Sequence, residues 1–169
     1  MPNESIQDNS IEYQAKKMRQ GTRANYTGDA LEEVIYNTLV RKGYQYIDKR
    51  QFESARYLDQ PVFATQYFIA KSIYETELFC DFILYHPQKH PHCMVIESKW
   101  QESSGSVDEK YPYMVYNIRE KYPCATIVVL DGGGYKKGAE KWLRAQEDDK
   151  LLHVFNMMEF QKWSNGEEM

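Results

Sequence analysis

Two strand-length segments, Glu77 to Tyr85 and Cys93 to Trp100, flank the turn His86-Pro-Gln-Lys-His-Pro-His92, and each carries charge inside an apolar run. Prolines cannot extend a central ladder, so the chain reverses between the segments. A hairpin folded about Lys89 sets Asp81 opposite Glu97, on one face of a sheet with Cβ atoms roughly 5 Å apart. Two carboxylates that close repel unless something cationic lies between them. Strand alternation puts Lys99 and Gln101 on the face of Glu97 and turns Ile96, Ser98 and Trp100 to the other. A solvated salt-bridge cluster would use the same residues. Against it, the three charges interrupt strongly apolar runs, where solvated charge is out of place.

Oxygen ligands of this kind suit Mg²⁺, with Mn²⁺ as a substitute, the ion keeping waters and substrate phosphate oxygens as its remaining ligands. Phosphodiester hydrolysis needs such a site: the cation stabilises charge on the phosphate and acidifies a water, and a nearby ammonium orients that nucleophile. Other metal chemistry is not indicated. His86, His90 and His92 surround prolines in a turn and read as turn residues. Cys80, Cys93 and Cys124 are odd in number, lie in apolar runs and lack C-x-x-C spacing, so they read as core thiols in a reducing cytoplasm.

The remaining chain of 169 residues supplies a frame for one domain, expected over residues 28–164 between a polar arm or marginal helix (1–27) and a polar tail (165–169). Leu31, Ile35, Thr38 and Leu39 recur at helical spacing before Gly43, which predicts a helix from Asp29 to Lys42. Tyr44 to Arg50 and Phe63 to Ile73 read as strands around an irregular stretch. Val107, Tyr111, Met114, Val115 and Ile118 fit a helical face, with Pro112 setting the start of the regular helix near itself. Cys124 to Leu130 reads as a buried central strand, Gly138 to Ala145 as a helix with Ala139, Trp142 and Leu143 inward, then a strand Leu151 to Phe155 and a helix Met157 to Trp163. This order describes an α/β fold, a mixed sheet with helices against it. No apolar run is long enough to span a membrane. A net charge of −4 excludes coating of nucleic acid by bulk positive charge but leaves room for a local basic groove. The aromatic run Tyr67, Phe68, Tyr74, Phe79, Phe82 and Tyr85 reads as core and sheet face rather than a base-stacking platform.

Cys80-Asp81 followed by Glu97-Ser98-Lys99 resembles the PD-(D/E)XK nuclease superfamily, the restriction-endonuclease-like fold, whose core order is helix, three-stranded meander, helix, strand (αβββαβ). Cys80 stands where the nominal motif has proline. In that family a helix before the sheet commonly supplies another acidic residue, and Gly28-Asp-Ala-Leu-Glu32-Glu33 is similar to that element. Glu32 stands nearer the inward face than Glu33, the alternative ligand. Val128-Val-Leu-Asp-Gly-Gly-Gly-Tyr-Lys-Lys137 looks like the strand, loop and helix of type II restriction endonucleases. There Gly132 to Gly134 would bring backbone to a phosphate that Lys136 and Lys137 neutralise, although a ligand-free turn explains the glycines equally. Gln101 has two readings, a contact near metal or DNA and a strand-end amide bonded to backbone.

The resemblance implies a Mg²⁺-dependent DNA endonuclease in which Asp81, Glu97 and Glu32 bind metal, the carbonyl of Ser98 completes the shell, and Lys99 positions the attacking water. Products would carry 5′-phosphate and 3′-hydroxyl ends, and the setting would be restriction of foreign DNA beside a possible cognate methyltransferase. Cutting both strands needs two sites, so a homodimer on a palindromic target is expected, with the arm and the Phe52 to Val62 loop left for dimerisation or base reading. A structure-selective, homing or repair nuclease and a non-catalytic nucleic-acid-binding protein are the alternatives.

Overall fold

The computed structural model describes residues 25–103 and 108–169. The expected arm lies outside them up to residue 24, and residues 25–27 already belong to helix α1, Asn25–Arg41, which starts ahead of the predicted Asp29. Leu31, Ile35 and Leu39 are buried along one stripe of α1. The helix stops at Gly43, whose φ of +90° places it in the left-handed region that closes helices, with its amide on the Val40 carbonyl at 3.0 Å.

The predicted strand from Tyr44 to Arg50 shrinks to β1, Gln45–Tyr46. Asp48 ends it: its carboxylate accepts the Arg50 amide at 2.8 Å and starts a 3₁₀ turn at Lys49–Gln51. The turn runs into the short helix α2, Phe52–Ala55, which seats Phe52 in the core. A meander follows, β2 (Val62–Lys71), β3 (Glu77–His86) and β4 (His90–Trp100). The β3–β4 turn is tighter than the prolines suggest, because His86 pairs with His90 and its Nδ1 accepts the amides of Gln88 and Lys89. Then come α3 (Tyr111–Glu120), β5 (Ala125–Asp131), α4 (Lys137–Arg144), β6 (Leu151–Phe155) and α5 (Met157–Ser164).

Among the described residues the sheet has six strands in sequence order, β1 to β6. The β2–β3–β4 meander is antiparallel, while β1 joins β2, and β5 and β6 follow β4, in parallel. The expected α/β core order of helix, meander, helix and strand is present. Alternation sorts the strands into two cores. One face, with Val62, Val95 and Val128, is covered by α3 through Tyr111, Val115 and Ile118 and by α4 through Leu143. The other, with Phe63, Phe82 and Ile96, is covered by α1 and by Phe160 of α5. Trp142, expected inward, keeps 40% exposure, since Leu143 takes the inward position on α4. The tail folds back far enough to bury Met169. No described helix is long and apolar enough to cross a membrane.

Candidate active site

β3 and β4 stay paired as far as Phe82↔Ile96. Asp81 comes next, and there the ladder with β4 ends: the Ser98 amide and hydroxyl donate to Asp81 Oδ2 at 2.8 and 3.1 Å. β4 continues with support from its other edge only, paired to β5 from Glu97↔Val128 through Trp100↔Asp131. A side-chain carboxylate thus takes the place of a main-chain partner where the two strands part. β2 bends at the same level. Gln66, between the pairs Thr65↔Phe82 and Tyr67↔Cys80, has a φ of +50°, and its Nε2 donates to Asp81 Oδ1 at 3.4 Å. A left-handed non-glycine residue costs about 1–2 kcal/mol and persists where its surroundings over-determine it.

Glu97 follows Val95 on the α3 face and is 4% exposed. Its Oε1 accepts the Tyr122 hydroxyl at 2.7 Å and its Oε2 accepts Lys99 Nζ at 2.9 Å. Burial pushes the Glu97 carboxyl above the usual glutamate range; Lys99 pulls it back down, Asp81 adds to the rise, and the net direction is upward. Lys99 Nζ also donates to Asp81 Oδ2 at 3.3 Å and to the Ser98 carbonyl at 3.1 Å. Burial alone would lower this amine, but Glu97 and Asp81 overcome it and raise it above the ordinary lysine value. The ammonium therefore stays charged and lies between the two carboxylates, where the sequence demands a cation. Tyr122 is raised by burial and then by Glu97, so it remains a protonated donor.

Asp81, Glu97 and the Ser98 carbonyl form a set of hard oxygens of the kind Mg²⁺ and Mn²⁺ take. Among the described residues no group of three or more His, Cys, Asp or Glu is disposed to hold a metal ion, and Glu32 is half-buried on α1. Its helix lies against the opposite sheet face, with Leu31 and Ile35 in the core that holds Ile96; Glu33 is exposed. Gln101 is enclosed at 4% exposure, its Oε1 accepting the Tyr111 hydroxyl at 3.2 Å and its Nε2 donating to the Ser103 carbonyl at 3.2 Å.

The glycines after β5 meet the same segment. A Cβ on Gly132 would lie 2.4 Å from the Gln101 carbonyl oxygen, and one on Gly134 2.2 Å from the Glu102 carbonyl carbon, while the Gly134 amide bonds the Gln101 carbonyl at 2.7 Å. The backbone that requires glycine here is the chain's own. Lys136 sits at the start of α4 with Nζ 4.0 Å from Asp108, and Lys137 is exposed beside it. Tyr122 and Gln66 escape sequence reasoning altogether: their contacts with Glu97 and Asp81 span 25 and 15 residues and leave no spacing signal.

A family model described as a PD-(D/E)XK nuclease superfamily domain matches residues 23–168. No curated protein and no solved structure in the comparisons matches the chain.

Proposed function

This chain belongs to the PD-(D/E)XK nuclease superfamily, and on that premise we propose that it is a divalent-metal-dependent DNA endonuclease, Mg²⁺ serving and Mn²⁺ substituting. The observation that carries the reading is the Lys99 ammonium set 2.9 Å from Glu97 and 3.3 Å from Asp81 at the point where β3 leaves β4. Asp81, Glu97 and the Ser98 carbonyl would hold the cation. When bound, it supplies positive charge against the phosphate oxygens and acidifies a water.

The protein's own groups account for the rest. Lys99, whose ammonium lies between Asp81 and Glu97, orients the attacking water and adds charge at the phosphate. Tyr122 fixes the Glu97 carboxylate, and the Ser98 amide and hydroxyl fix that of Asp81. Water oxygen bonds to phosphorus, the bond from phosphorus to the 3′ oxygen breaks, and that oxygen takes a proton, leaving 5′-phosphate and 3′-hydroxyl ends. Lys136 and Lys137 are exposed cations available to flanking phosphates. Three buried free thiols suit a reducing cytoplasm.

The finer setting is restriction of foreign duplex DNA by a homodimer, with a methyltransferase partner protecting the host. A second reading, a nuclease selecting branched or frayed DNA, is favoured by the exposed Phe68–Phe79 pair two residues along β3 from Asp81. The test is cleavage of mixed, unmethylated phage DNA with Mg²⁺, with EDTA, and with Glu97→Ala and Lys99→Ala variants. Discrete bands lost in EDTA and in both variants support restriction; a smear with the same dependence keeps the chemistry and removes that role. No cleavage of linear or branched DNA under Mg²⁺ or Mn²⁺ would overturn the nuclease reading and favour a non-catalytic binding protein.

A further inference from the structure

The aromatic run of β2 and β3 divides in two. Phe82 is buried and Tyr67 packs on the core, as the sequence leads one to expect, but Phe68 and Phe79 keep 45% and 46% exposure. They face each other across the β2–β3 ladder, with ring centroids 5.9 Å apart at 71°. Lys49 Nζ lies 5.7 Å from the Phe79 ring centroid and donates to the Gln66 carbonyl at 3.1 Å. Gln66 in turn donates through its amide to Asp81. Lys71 and Glu77, two ladder steps beyond, are exposed and opposite each other.

Two half-exposed aromatic rings with a cation over one of them, joined through a single residue to Asp81, match one ligand chemistry. An unpaired nucleotide presents a π face to the rings and a phosphate to the ammonium. A base inside an intact duplex offers neither face. We infer that Phe68, Phe79 and Lys49 form a stacking platform for an unpaired nucleotide of the DNA strand being cut. This rests on the nuclease reading in its second form, the one that selects branched or frayed DNA, and makes the substrate a strand that is single, frayed or branched beside the scissile bond.

The test is fluorescence anisotropy in EDTA, where no cleavage occurs, using a labelled mixed-sequence 20-nucleotide DNA and its blunt duplex. Wild type, Phe79→Ala, the Phe68→Ala/Phe79→Ala double variant and Phe79→Trp are compared, with melting temperature and sedimentation recorded for each. The expected result is single-strand affinity that falls on the order of 10-fold in Phe79→Ala, falls further in the double variant and returns in Phe79→Trp, while duplex binding stays level. Equal single-strand binding by all four proteins overturns the platform. So does a wild-type dimer that the alanine variants dissociate, since a second copy would then occupy the patch. Cleavage with Mg²⁺ is scored separately: duplex cutting indifferent to the phenylalanines removes the platform and keeps the nuclease, whereas lost single-strand binding in a protein that cuts nothing does the reverse.

Discussion

A single ammonium decides the energetics of the Asp81–Glu97 pair. Without it two carboxylates share one site, and Glu97, already pushed up by burial, rises further. Lys99→Met should therefore destabilise the metal-free protein by about 2–3 kcal/mol, below the 3–5 kcal/mol of a fully enclosed pair because the lysine keeps 31% side-chain exposure. The sign with pH follows: a raised carboxyl pKa favours the folded state at low pH, and that contribution is lost as pH rises from the ordinary glutamate value through the folded one. Urea denaturation of Lys99→Met should accordingly show the larger deficit at pH 7 and a smaller one near pH 4; a pH-independent deficit would remove the carboxylates as its cause. Tyr122→Phe tests the other side of Glu97. The hydroxyl holds the carboxylate down, so its loss should cost about 1–2 kcal/mol and move the acidic limb of the pH–activity profile upward. An unmoved limb would reduce Tyr122 to packing.

Elements were legible in the sequence wherever the signal was local. The stripe Leu31–Ile35–Leu39 gives α1, the apolar run before Asp131 gives β5, and the hairpin centred on Lys89 gives the register Phe82↔Ile96. The Asp81, Glu97 and Lys99 cluster could be read for the same reason, since all three lie on that hairpin. What stayed hidden is non-local: Tyr122 reaches Glu97 from beyond α3, and α1 packs through Leu31 and Ile35 on the sheet face that holds Ile96, which no helical periodicity reveals. The glycine loop illustrates the ambiguity, because Gly-Gly-Gly suits a phosphate and a close backbone alike. Gly134→Ala should lower stability by about 2–3 kcal/mol, a Cβ there having to displace backbone at 2.2 Å. Gly133→Ala meets open space and carries only the strain of its φ of +70°, about 1 kcal/mol; thermal melts of both variants check the order. At the start of α5, Asn156 and Glu159 form a reciprocal cap and Glu159 also pairs with Arg144. Burial would raise the Glu159 carboxyl, but the Asn156 amide and Arg144 outweigh it and hold it below the usual range. A depressed carboxyl stabilises above its unfolded pKa, so Glu159→Gln should cost about 1 kcal/mol at pH 7, a gap that closes as pH falls through the folded value.

At the scale of the whole molecule, folding brings two carboxylates together in a chain whose net charge is already −4, and the sheet fixes them in place before any ligand arrives. Their strands are held from both sides, β3 by β2 and β4 by β5, so the cluster cannot relax by spreading apart. The fold therefore carries an unfavourable charge arrangement that a cation relieves, and Lys99 supplies that cation from within. A divalent ion binding the same oxygens has to compete with the ammonium for Asp81 Oδ2 and Glu97 Oε2. Mass action converts this into a measurable stability: at a free concentration one hundred times its dissociation constant, a ligand of the native state adds about 2.7 kcal/mol. For a chain of 169 residues that corresponds to a rise of about 5–11 °C in melting temperature. The wild type should show such a rise with Mg²⁺, reversed by EDTA, and Asp81→Asn/Glu97→Gln should show none. Lys99→Ala separates competition from simple neighbourhood. Lacking the internal cation it should melt lower without metal and gain more from Mg²⁺ than the wild type does, while failing to cleave DNA. An equal gain in the two proteins would mean that the ammonium and the metal do not share the carboxylates, and that Lys99 acts on the substrate alone.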